Sequence, residues 1–131
     1  MLLEFEVPYP VILAGKGKGR LCTVNSMPLW YRYQKTKIKN MFKTKLGEWL
    51  IPNSDKRLEQ ATVSFQIIRP DKHLIDPDSL AGSAGKWIID YFVEKGWLKN
   101  DDKVTIIYKP PILGQGGSET RIKVELYENP S

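Results

Sequence analysis

The sequence predicts one α+β domain built on a mixed, mostly antiparallel sheet with two main helices, in the order β-(β)-α-β-α-β-β. Three observations carry this. Residues 60–69, QATVSFQIIR, set Val63, Phe65 and Ile67 in alternation among β-branched residues, the pattern of a strand. Residues 28–47 and 83–95 space their apolar residues for helices instead. The 131 residues suffice for one core and contain no repeat and no linker, so a single domain over 1–131 is expected.

The elements follow in order. Residues 2–7, LLEFEV, partly alternate and predict a first strand, ended by Pro8-Tyr9-Pro10. VILAGKGKGRLCTV (11–24) predicts a hairpin, or a short strand and then a flexible basic loop. Gly15, Gly17 and Gly19 recur at spacing two, which matches neither a Walker loop nor G-x-G-x-x-G. No nucleotide site is expected there; the stretch is either a turn or an arm that touches phosphates. Pro28 suits the first turn of a helix over 28–47. Leu29, Trp30, Tyr33, Ile38, Met41, Phe42 and Leu46 supply its apolar face, and Lys35, Lys37, Lys39, Lys43 and Lys45 the other. Gly47 and PNSDKR (52–57) close that unit.

In the helix over 83–95, Ala84, Ile88, Tyr91 and Phe92 form a buried stripe, and Lys86, Asp90 and Glu94, four apart, a polar one. Gly82 and Gly85 weaken its first turn and predict a late start. GWLKNDD (96–102) is a helix stop followed by a loop. VTIIY (104–108) is a strand, and TRIKVELYE (120–128) another, with Ile122, Val124 and Leu126 on one face. PPILGQGGS between them reads as an open hairpin loop.

Composition narrows the function classes. Apolar residues at 41% and charged residues at 27% are ordinary for a soluble globular chain, and four Trp, six Tyr and four Phe argue against disorder. No apolar run approaches the roughly 20 residues that span a bilayer, so no membrane partner is expected. MLLEFEVPYP carries Glu4 and Glu6 and no basic n-region, unlike a signal peptide. The single cysteine, Cys22, excludes an internal disulfide and a Cys-based zinc site, and the single histidine, His73, argues against His-based triads and metal sites. A cytoplasmic location fits these features.

The net charge of +5 is unevenly spread. Lys16, Lys18, Arg20, Arg32, Lys35, Lys37, Lys39, Lys43 and Lys45 follow one another with no acid between them, while acids cluster in residues 71–102. That asymmetry predicts a polyanion-binding surface beside an acidic pocket.

The acidic cluster opens with IDPDSL (75–80). Pro77 pushes Asp76 towards an extended conformation, in which Asp76 and Asp78 project to the same side. Such a pair is half a site for a hard cation such as Mg²⁺; the plainer reading is a solvated turn in which Asp78 or Ser79 caps a helix. A second pair, Asp101–Asp102, lies beyond the following helix, and the sequence alone does not place the pairs together. If three of these carboxylates converge, a cation must offset their repulsion. Mg²⁺ in that position activates water at a phosphodiester, and Lys86 is placed to neutralise charge on the phosphorane-like transition state. A calcium loop is excluded: counted from Asp76, positions five, six and twelve are Leu80, Ala81 and Trp87.

The stretch D76-P-D78-S-L, then K86-W-I-I-D90, then G96-W-L-K-N-D101-D102-K-V, resembles the RusA family of Holliday-junction resolvases. S26-M-P-L-W-Y-R-Y and the closing GGSETRIKVELYE are also similar to that family's segments; the match loosely covers residues 2–128 and is most specific over 69–104. Ser79 stands where the family has Asn, and the inserted AGSA sets Lys86 further from Asp78 than usual. The resemblance implies a Mg²⁺-dependent endodeoxyribonuclease of phage or prophage type, with Mn²⁺ as substitute, acting on four-way junctions or related branched DNA as a homodimer in a bacterial or infected host cell. It implies Asp76, Asp78 and Asp101, with Asp102 as the alternative, as metal ligands. Lys86 is then the functional lysine and Asp90 a supporting acid on the same helix. Lys16, Lys18, Arg20, Arg32, Lys35, Lys39 and Lys43 would track DNA phosphates, and Trp30, Tyr31 or Tyr33 would stack on unpaired bases if not core. The competing expectation is a basic DNA-binding or replication accessory protein that does not cut; a third is an interaction protein whose acids are solvated turns.

Overall fold

The computed structural model of the chain describes residues 2–12, 20–21, 35–47, 57–72, 80, 84–117 and 119–129. Its elements are β1 (Leu3–Pro8), β2 (Val11–Ile12), β3 (Arg20–Leu21), α1 (Lys35–Gly47), β4 (Ala61–Ile68), α2 (Ala84–Glu94), β5 (Val104–Tyr108) and β6 (Arg121–Glu128). The main sheet runs in the order β1-β6-β4-β5, and β2 pairs with β3 in a separate antiparallel ladder. β6 is antiparallel to both β1 and β4, while β5 is parallel to β4. The α+β class, the mixed and mostly antiparallel sheet and the element order agree with the sequence reading.

Parallel neighbours need a crossover rather than a tight turn, and α2 supplies it between β4 and β5. Alternation sets which face is covered. Val63, Phe65 and Ile67 of β4, Ile122, Val124 and Leu126 of β6, and Phe5 and Val7 of β1 are all buried. Against them pack Ile38, Phe42 and Leu46 of α1 and Ala84, Ile88, Tyr91 and Phe92 of α2. Phe5 and Phe92 meet edge to face at 6.2 Å between centroids, and Phe42 tilts against Trp87 at 6.0 Å. Met41, expected on the apolar face of α1, is 49% exposed. It precedes Phe42 by one position and so points about 100° away from it around the helix. Leu29, Trp30, Tyr31 and Tyr33 lie outside the described residues. No helix among the described residues is long and apolar enough to cross a membrane.

The stretch 109–120 is not a hairpin loop. β4 lies between β5 and β6, so the link steps over the end of β4. It extends the sheet as it does so. Lys109 N–H donates to Phe65 O (2.9 Å), Ile112 N–H to Ile67 O (2.9 Å), and Arg69 N–H back to Ile112 O (2.9 Å). Gly114, Gln115 and Gly116 then donate to Asp71 O (2.8 Å), Arg69 O (3.2 Å) and Pro70 O (3.3 Å). These bonds clasp residues 69–71 at the end of β4.

The other face of the sheet carries charge. Lys123 Nζ lies 3.0 Å from Glu4 Oε1, and Lys109 Nζ lies 2.7 Å from Glu125 Oε1. The Tyr127 hydroxyl donates to the other oxygen of Glu125. Hydrogen bonds from Lys109 and Tyr127 hold the buried Glu125 carboxyl below the ordinary range, and the same contacts push Lys109 and Tyr127 up. A lowered carboxyl stabilises the fold above the ordinary Glu value of about 4.3 and loses that contribution as pH falls through the lowered value. The raised Lys109 and Tyr127 contribute below their ordinary values, about 10, and lose that contribution as pH rises through the raised ones. Glu125→Gln is therefore expected to flatten both limbs of the melting temperature against pH. Limbs as steep as those of the wild type would show that this network does not set them.

Candidate functional site

Two adjoining cavities lie at the outer side of α2. One, of about 190 Å³, is lined by Phe65, Gly85, Lys86, Ile89, Asp90, Asp101 and Ile106. The other, of about 320 Å³, is lined by Lys39, Asp90, Val93, Glu94, Asn100 and Asp101. Asp90 and Asp101 form part of the wall of both.

Each side chain is placed by local structure. Lys86 and Asp90 stand one turn apart on α2, on the side opposite its buried stripe. Asp101 comes from the loop between α2 and β5, and that loop is tied at both ends. Gly96, at φ +80°, ends the helix in the left-handed conformation that glycine adopts freely. Trp97 N–H and Leu98 N–H then return to Phe92 O at 2.9 and 3.3 Å. Leu98 is buried and bridges Leu58, and Lys99 N–H donates to Leu58 O at 2.9 Å. Val104 resumes the sheet opposite Ala61. Between these anchors Asp101 meets the flank of α2, while Asp102, also exposed, lines neither cavity.

The entrance to α2 lies against the smaller cavity. A Cβ added at Gly85 would come within 2.9 Å of Leu80 O, so the chain before the helix passes too close for any side chain there. Gly85, read as a helix-weakening residue, is the condition for that approach. Gly85→Ala is expected to destabilise the protein by about 1–3 kcal/mol through the forced shift, seen as a lower urea midpoint; an unchanged midpoint would mean that residue 80 yields freely.

The basic candidates divide. Lys39 lines the larger cavity beside Asp90, Glu94 and Asp101. Lys43 is ion-paired with Glu94 of α2. The sequence argument that no acid compensates the α1 lysines fails at this position, because the acid arrives from 51 residues away. Lys37 and Lys45 are exposed. Arg20 sits on β3 and Lys35 opens α1, with their side chains outside the described residues. Asp76, Asp78, Lys16, Lys18 and Arg32 also lie outside the described residues. Among the described residues, no three His, Cys, Asp or Glu side chains group closely enough to hold a metal ion.

The arrangement therefore brings together Asp101, Asp90 and Lys86, with Lys39 and Glu94 on the adjoining wall. The spacing by four of Lys86, Asp90 and Glu94 carried that stripe in the sequence; nothing local signals Lys39 or Asn100 as its neighbours. Two carboxylates bordered by lysines offer oxygen ligands to a hard cation and positive charge to a phosphate. Mg²⁺ takes one or two protein carboxylates and fills its remaining positions with water and substrate phosphate, so Asp101 fits part of such a site, with Asp90 beside it on the same wall. No family model matches the sequence, and no curated protein matches it.

Proposed function

We propose that this chain is a Mg²⁺-dependent, structure-selective DNA endonuclease that resolves Holliday junctions or related branched DNA. The observation that carries the reading is the shared wall of Asp90, Asp101 and Lys86 beside the entrance of α2. Asp78 is separated from Leu80 in the sequence by Ser79 alone. In this reading Asp76 and Asp78 join Asp101 as ligands. The metal, when bound, supplies an activated water and stabilises charge on the phosphodiester oxygens. Lys86 offers positive charge to the scissile phosphate, Asp90 orients Lys86 one turn away, and Lys39 contacts a flanking phosphate.

The test is cation dependence on branched DNA. Nicking is expected in Mg²⁺ or Mn²⁺ and none in Ca²⁺ or EDTA, with binding in Ca²⁺ that weakens steeply as salt rises. Salt-sensitive binding without nicking in either active cation leaves the non-cleaving accessory protein as the reading. No salt-sensitive binding at all overturns both.

A further inference from the structure

The lysines of α1 fall on two sides of the helix. Successive residues are about 100° apart, so Lys39 and Lys43 turn about 200° away from Met41. These two serve the flank of α2: Lys39 lines the larger cavity there, and Lys43 pairs with Glu94. Lys37 and Lys45 stand on the opposite side with Met41 between them, all three exposed. The site at α2 uses none of them.

That side of α1 borders a separate cavity of about 150 Å³. Pro8, Tyr9 and Pro10 line it from the end of β1, and Ile38, Met41, Phe42 and Lys45 from α1. Both walls are fixed. Tyr9 N–H donates to Thr120 O at 2.8 Å, and the prolines on either side hold their own backbone angles. Ile38 and Phe42 are anchored in the core. A preformed pocket spares a ligand part of the ordering cost of binding. An apolar cavity of about this volume admits a benzene ring. Met41, 49% exposed, adds a polarisable thioether, which makes favourable contacts with aromatic rings. The mouth is positive. α1 contains no acid, and Glu4 and Glu6 alternate to the face of β1 away from the buried Phe5 and Val7.

We propose that this cavity is a docking site for an acidic segment of another protein, which seats one phenyl-sized side chain between Met41 and the Pro8–Pro10 wall and sets its carboxylates on Lys37 and Lys45. Charge complementarity selects the acidic partner, and the apolar lining selects a peptide over a nucleic-acid backbone, which would satisfy the lysines and leave the cavity unfilled. The site lies across α1 from the cavities at α2, so the inference does not rest on the nuclease reading.

The probe is a fluorescein-labelled peptide of aspartates around a single phenylalanine, and its control carries alanine in place of the phenylalanine. Anisotropy at low salt reads both. The wild type is expected to bind the probe about 10- to 100-fold more tightly than the control, the scale of burying one phenyl side chain. Met41→Lys adds positive charge at an exposed position and is expected to abolish that preference, with DNA binding no weaker than in the wild type. Lys45→Glu is expected to weaken binding of both peptides about tenfold. Equal affinity of the wild type for probe and control overturns the inference and makes this side of α1 a surface for polyanions such as DNA. Binding of neither peptide also overturns it, and a wild-type dimer that Met41→Lys dissociates would then make a second copy the occupant.

Discussion

Asp101→Asn is expected to slow Mg²⁺-dependent cleavage of branched DNA by about 100-fold or more, the scale on which losing part of a metal site is felt. Asp102→Asn is expected to stay within a few-fold of wild type. The two acids are neighbours in sequence and equally plausible by composition. They differ in that Asp101 lines both cavities with Asp90, whereas Asp102 lines neither. DNA binding in Ca²⁺ is expected to persist in both variants, which separates loss of chemistry from loss of fold. Equal rates for the two variants would mean that the loop from Lys99 to Lys103 rearranges when DNA binds.

The largest expected effect on stability is at Phe92. Its side chain is fully buried, packs edge to face on Phe5, and sits where α2 crosses the sheet. Its carbonyl also receives the N–H groups of Trp97 and Leu98, which turn the chain towards Asp101. Phe92→Ala removes a ring that the surroundings cannot replace and should cost about 3–5 kcal/mol, a large share of the roughly 5–15 kcal/mol typical of a domain. Urea unfolding followed by tryptophan fluorescence measures it. A loss below about 1 kcal/mol would mean that the core closes over the gap, contrary to close packing between α2 and β1.

The parts of this fold that local pattern dictates were legible. β4 alternates because one face meets both helices, and that alternation survives in the sequence as Val63, Phe65 and Ile67. The stripe Ala84, Ile88, Tyr91 and Phe92 is buried for the corresponding reason in a helix. Strand order was not legible. Nothing local tells β6 to enter between β1 and β4, and a glycine-rich stretch between two strands fits a hairpin as well as the clasp that forms. The candidate site divides in the same way. Lys86 and Asp90 share a side of α2 by their spacing alone, while the approach of Asp101 depends on where Leu98 anchors the loop. The pairing of Lys43 with Glu94 depends on how two helices pack, and no window of sequence contains both residues.

The measurement that tests the central claim most directly is cleavage of a synthetic four-way junction in Mg²⁺ by the wild type and by Asp76→Asn, beside a linear duplex. Symmetric nicking of the junction alone, lost in Asp76→Asn while junction binding persists, is the predicted result. Tight junction binding by a wild type that cuts nothing in Mg²⁺ or Mn²⁺ would contradict it.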